Sequence, residues 1–358
     1  MLRTLLLTLS AWLILGSAPP AKPRQIYPPP GDCKDDRGVD RCQAEQQRRM
    51  RDLFGVKPIE AHRDAGDQVR RAFYVDGYGR DLVAIAYVRP KGSDPQLSVH
   101  FPSRDDGTRP EPLRAMVPYD LWESLIARSA HFDRRLAPLP PEKPTADGDM
   151  ILCMHSWVYT VEATDPAQGD DQPATLRRRT EDACDNGLTE AYAIELRRAA
   201  VPLLPQCARL DPRQHRNEAS LLSTCGMLAG DRLAAADVLN RATPFRHTDD
   251  SAELAGLFRH DATVDWNGER NAVPLSAAEF WESKTSGEGG SRFYFEEIEG
   301  RSAGEVIVRG TLHRSVAGPE GAPEIDEVAR VEQVWIVHLG DFVVRSMNVG
   351  PFVRKPRR

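Results

Sequence analysis

Four strand-like stretches lie close together near the end of this chain: Phe293 to Ile298, Glu305 to Arg314, Ala329 to His338 and Phe342 to Val349. Successive strand side chains point to opposite faces, so four such stretches in a row commit the segment to a sheet with a face that must be covered. The residues before them supply the cover. Asp231 to Asn240 and Ala277 to Lys284 read as helices, and Leu257 to Trp266 reads as a strand. From about residue 230 to 352 the order is helix, helix, strand, helix and four strands, an α+β arrangement.

The residues Leu257-Phe258-Arg259-His260-Asp261-Ala262-Thr263-Val264-Asp265-Trp266 carry a resemblance, as does the ending Gln333-Val334-Trp335, Gly340-Asp341 and Arg345-Ser346-Met347. Residues 230–358 resemble the cone-shaped nuclear transport factor 2-like superfamily in its SnoaL-like branch. The resemblance covers roughly a third of the chain and implies a fold more than a function, because this fold hosts isomerases, dehydratases, hydrolases, binding modules and inert scaffolds.

In the ketosteroid-isomerase-like members a carboxylate base follows "Asp-Ala-Thr-Val" by two positions, which here is Trp266; the acid stands one residue early, at Asp265. A one-residue offset on a strand turns a side chain to the other face. The family's oxyanion-stabilising acid corresponds to Glu332, eight residues before Gly340, and the tyrosine of the first helix has no counterpart. Without its base, such a site does not transfer protons. A second set is Arg309, Thr311 and His313 on one strand face, with Arg330, Glu332 and His338 on a face of the next. Lining a common cavity, they would make a His–Glu–Arg acid/base site. Facing solvent, they would leave Val331, Gln333, Trp335 and Val337 to fill the interior. The candidate catalytic residues are His313, Glu332 and Asp265; the candidate binding residues are Trp266, Trp335, Arg309 and Arg330.

The other end of the chain reads as an address. Arg3 precedes an apolar run from Leu5 to Leu15, followed by Gly16, Ser17 and Ala18. That order is a signal peptide over residues 1–21, its apolar run too short to span a bilayer. No Asn-x-Ser/Thr acceptor is present, which favours a bacterial periplasm over a eukaryotic secretory route. The cysteine count agrees with an oxidising compartment: Cys33, Cys42, Cys153, Cys184, Cys207 and Cys225 are even in number. Six cysteines allow 15 pairings; pairing of sequence neighbours is expected, giving Cys33–Cys42, Cys153–Cys184 and Cys207–Cys225. Their spacing does not suit a zinc site, and no cofactor is implied.

Between these ends, residues 22–64 read as a Pro-rich tether with a helix from Asp40 to Phe54 that Gly55 ends. Residues 65–165 read as an antiparallel-sheet α+β domain. Val69 to Val75 and Leu82 to Val88 form a hairpin, Gln96 to Phe101 a third strand, Pro118 to Ser129 a helix and Met150 to Val161 a further strand. On that last strand Cys153, His155, Trp157 and Tyr159 share a face. Residues 166–229 read as a helical connector: Ala174 to Cys184, Thr189 to Leu204 and Arg213 to Leu228.

The net charge of −6 over 358 residues, with the basic clusters interleaved with acids, argues against nucleic acid as a partner. Ser156 lacks the context of a nucleophile elbow. The reading favoured by the missing base is an exported, disulfide-stabilised, non-catalytic protein. It would bind a small apolar molecule or self-associate through its C-terminal sheet, with no stable membrane span once the leader is cut. The alternative is a cofactor-independent pocket enzyme: a lyase, isomerase or hydrolase.

Overall fold

A computed structural model describes residues 41–77, 79, 81–103, 107–134, 157–167, 169, 172–183, 187–246, 251–271, 276–286, 291–301, 304–316 and 325–354. The chain divides into two compact units, residues 1–47 and 48–358. In the first, the described residues are the opening turns of helix α1 (Arg41–Phe54). The expected pairs Cys33–Cys42 and Cys153–Cys184, the leader, and His155 lie outside the described residues.

In the second unit, Gly55 follows α1 with φ 62°, a left-handed conformation that ends the helix as expected. Helix α2 (Ile59–Ala65) leads into a six-stranded antiparallel sheet of β1 (Gln68–Val75), β2 (Leu82–Arg89), β3 (Gln96–His100), β4 (Leu113–Met116), β5 (Val158–Asp165) and β6 (Thr175–Asp182), in the order β4-β3-β2-β1-β5-β6. The β1–β2 hairpin, β3 and helix α3 (Tyr119–Arg128) fall where the sequence places them. Of the strand expected over Met150 to Val161, residues 150–156 lie outside the described residues; the described end is strand from Val158, and its pairing runs on to Asp165. Val69 to Val75 are buried without interruption because both faces of β1 are covered. On one face Tyr74 and Tyr87 donate their hydroxyls to the carbonyls of Ala193 and Leu196 in α4 (Leu188–Ala200). On the other, Arg71 donates to the Lys57 carbonyl and to Glu162.

The expected helix over Ala174 to Cys184 is instead β6, so residues 166–229 are not all helical. Leu176 and the three following arginines suit a helix by propensity, but pairing decides. Arg178 donates to Glu162 of β5 and Glu60 of α2, while Arg177 reaches the Ser129 carbonyl and Asp133. These partners exist only when the segment lies along β5. The rest of that segment packs onto the sheet through α4 and α6 (Glu218–Cys225), with α5 (Pro205–Ala208) against α6 and α7 (Arg232–Ala242). Cys207 and Cys225, both fully buried, are joined between α5 and α6, the expected third pairing.

The second sheet is mixed. Strand β7 (Leu228–Gly230) and helices α7 (Arg232–Ala242) and α8 (Ser251–Leu254) precede β8 (Phe258–Trp266), β9 (Glu269–Arg270) and helix α9 (Ala277–Thr285). Then come β10 (Ser291–Arg301), β11 (Glu305–Val316), β12 (Ile325–His338), β13 (Asp341–Val349) and the short β14 (Val353–Arg354). The order is β7-β10-β11-β12-β13-β8-β9, with β14 on β12. Strand β7 runs parallel to β10 and β8 parallel to β13. Sequence order and the four terminal strands agree with the α+β expectation. No described helix is long and apolar enough to cross a membrane.

Candidate functional site

The inner face of the second sheet is filled with side chains. Val306, Val308 and Leu312 of β11 and Val331, Gln333 and Trp335 of β12 are all buried there. Above them Phe245, which follows α7, meets Phe258, Trp281 and Trp335 edge to face at 5.6, 5.8 and 6.1 Å between ring centroids. Trp266 packs on Trp281 and Phe352. Such edge-to-face contacts fill space while satisfying the ring quadrupoles. Trp266 and Trp335, candidates for binding, are therefore parts of the core. Trp335 donates its indole N–H to Gln333 at 2.9 Å. Val337 departs from the inward expectation: it is half exposed, two residues before the exposed turn at Leu339.

The polar candidates lie on the opposite face. Arg309 of β11 sits across from Glu332 of β12 and donates to Glu332, Glu297 and Glu299 at 2.9 to 3.0 Å. Burial works against the Arg309 charge, yet the three carboxylates outweigh it and raise its pKa. The same hydrogen bond, aided by Arg301, lowers that of Glu299. Arg330 pairs with Glu296. His313 stands opposite Val328, four residues along from Glu332, so roughly 13 Å separates them at strand spacing. Its ring packs against Tyr294 at 4.7 Å and its Nε2 lies 3.3 Å from the Thr311 hydroxyl. Six positions separate Glu332 from His338, whose ring neighbours His260. Asp265 turns outward beside inward Trp266; hydrogen bonds from Arg270 and the Gly268 amide lower its pKa. The structure thus brings Arg309 and Glu332 together and leaves His313, Asp265 and His338 apart from them. Among the described residues no three His, Cys, Asp or Glu side chains group as metal ligands.

Open volume lies elsewhere. A cleft of about 1260 Å³ is lined from the first sheet by Asp81 and Phe101, from the helical layer by Arg216 and Met227, and from the second sheet by β10, β11 and β12. Strand β7 pairs with β10 only at Ile298 to Gly300. The Ser291–Glu297 stretch therefore carries no strand on that side among the described residues, and the cleft runs along it. Arg246, at the end of a 3₁₀ turn after α7, stacks its guanidinium 4.4 Å over the Phe295 ring. Burial lowers the Arg246 pKa to about 10, with Asp81 the only opposing charge. Burial likewise raises the Asp81 pKa against the pull of Ser220, Arg216 and Arg246. Of these residues the sequence reading reached Arg330, Glu332 and Arg309 but missed Asp81, Arg216, Arg246 and Phe295. Local pattern holds no signal for them beyond an arginine directly after a buried aromatic, Phe245.

No known family profile and no curated protein matches this chain. Solved structures resemble part of it. An NTF2-like protein of unknown function from Shewanella oneidensis shares 10% identity over 32% of this chain and 97% of its own, with a TM-score of 0.26. A protein from Shewanella frigidimarina, provisionally named a ketosteroid isomerase, shares 13% over 33% and 94%, TM-score 0.26. A conserved protein from Planctomyces limnophilus shares 19% over 35% and 98%, TM-score 0.26. The helices and sheets described above make this an α+β protein.

Proposed function

We propose that this is an exported, disulfide-stabilised protein that binds a small molecule in the cleft between its two sheets without transforming it. One observation carries the reading: aromatic side chains occupy the inner face of the second sheet, while the open volume lies between the sheets. An acid/base pocket on that inner face would need space and convergent titratable groups. Here Phe245, Trp266, Trp281 and Trp335 take the space, and Glu332 is held by Arg309 well away from His313. Export is supported by the leader-like residues 1–21 and by the buried Cys207–Cys225 cross-link.

The test is native mass spectrometry of protein released from the periplasm by osmotic shock, with N-terminal sequencing of the same material. The expected result is a mature chain lacking the leader and carrying a small-molecule adduct, which returns unchanged after extraction and reincubation. Conversion of that compound, abolished by Glu332→Gln or His313→Ala, would overturn the non-catalytic reading in favour of a lyase, isomerase or hydrolase.

A further inference from the structure

Arg246 is the unusual charge in the cleft. It is half-buried, yet it forms no hydrogen bond and no ion pair within 4.0 Å among the described residues, unlike Arg309 and Arg330 beside it. Its guanidinium lies over the face of Phe295, and its N–H groups make no hydrogen bond among the described residues. Charges removed from water are ordinarily paired or hydrogen-bonded, because desolvation without a partner is costly. Asp81 acts on it only at longer range. The remaining lining is mixed: Pro102, Pro110 and Met227, all half-buried, supply apolar surface beside the polar groups. Five arginines and four carboxylates line the cleft, an excess of a single positive charge. That balance suits a monoanion; a dianion would leave one negative charge uncompensated next to Glu296, Glu297 and Glu332.

We propose that the cleft takes an organic carboxylate with an apolar body, the carboxylate held by the fork of Arg246 and the body lying against the half-buried Pro102 and Met227. The inference rests on the reading of this cleft as the ligand site and names the ligand class. A guanidinium held over an aromatic ring has given up part of its freedom before the ligand arrives, and its fork offers two parallel donors to two carboxylate oxygens. The site is bordered by both sheets and the helical layer, and it abuts the filled interior of the second sheet at Phe293, Phe295 and Val331.

The test uses the full chain, stripped of bound ligand by partial unfolding and refolding with its disulfides intact. Calorimetric titration compares a series of carboxylates from phenylacetate to decanoate with the corresponding alcohols and with phenyl phosphate. Carboxylates are expected to bind about tenfold or more tighter than the alcohols and tighter than the phosphate, and Arg246→Gln to lose that preference. Arg345→Gln, on a half-exposed arginine paired with Glu305 outside the cleft, is expected to bind as the parent does. Ligand-free Arg246→Gln should melt at or above the parent temperature, since it removes a half-buried charge with no hydrogen bond or ion pair among the described residues; a drop in melting temperature would mark Arg246 as a structural residue and overturn the proposal. Equal binding of alcohols and carboxylates, or no binding of any carboxylate at millimolar concentration, would overturn it too. A neutral compound co-purifying with the native protein and retained by Arg246→Gln would sink the carboxylate inference while leaving the binding function intact. Turnover of a bound carboxylate would do the reverse.

Discussion

Removing the Cys207–Cys225 cross-link is the most quantitative perturbation the fold offers. The two cysteines are 18 residues apart in sequence and fully buried between α5 and α6. Closing a loop of that length removes chain entropy from the unfolded state worth ~3 kcal/mol at 25 °C. Substituting both residues also deletes two buried sulfurs, which costs separately through lost packing. The two effects separate in a four-way comparison: parent and Cys207→Ala/Cys225→Ala, each unfolded in urea with and without a reductant. Reduction of the parent opens every disulfide it contains; reduction of the variant opens all but this one. The difference between the two reduction effects isolates the cross-link, and packing cancels. The expected difference is ~3 kcal/mol, roughly 6 °C in melting temperature for a unit of this size. A difference below about 0.5 kcal/mol would refute the argument that the link acts by restraining the unfolded chain.

Two further predictions concern the first sheet. His100 has its pKa lowered from 6.5 to about 4, first by burial and then by Arg71, Arg114 and Arg109. The unfolded chain therefore takes up a proton before the folded one does. Stability is fully present above 6.5 and is lost as the pH falls toward about 4, by ~3 kcal/mol at about 1.4 kcal/mol per tenfold in proton affinity. Chemical denaturation across that range should show a slope that His100→Gln flattens; parallel profiles for parent and variant would refute it. Glu162→Gln removes the carboxylate that accepts from both Arg71 and Arg178, and Arg71 is fully buried. The expected loss is about 3–5 kcal/mol by urea unfolding. A loss under about 1 kcal/mol would show that water replaces the carboxylate there.

Elements were legible in the sequence where one physical signal dominated. The strands β10 to β13 carry apolar side chains at alternate positions over one covered face, and α7 and α9 begin at Asp231 and Ser276, whose side chains accept from the first-turn amides. β6 was illegible because its residues favour a helix individually and its strand is held by partners on β5 and α2, which local sequence does not contain. The cleft was illegible for a related reason. Asp81, Arg216, Arg246 and Phe295 meet only through the packing of distant segments, and Arg246 sits in an unremarkable Thr-Pro-Phe-Arg turn. Conversely, Arg309, Glu332 and His313 shared a strand-face pattern that suggested a site; register places His313 away from the other two and pairs Arg309 with carboxylates.

The position of β1 in the first sheet sets the order in which its two edges are paired. Its partner on one side, β2, follows after a short turn, whereas its partner on the other, β5, begins roughly 80 residues later. The second pairing closes a loop of roughly 80 residues, which costs more chain entropy than the hairpin and so follows it. Throughout that interval Val69 to Val75, a strand with both faces destined for the interior, presents unpaired backbone amides and carbonyls to any neighbour. A strand in that state is open to pairing with another copy, so the yield of folded protein will depend more on how fast the segment from β2 to β5 closes than on the stability of the finished sheet.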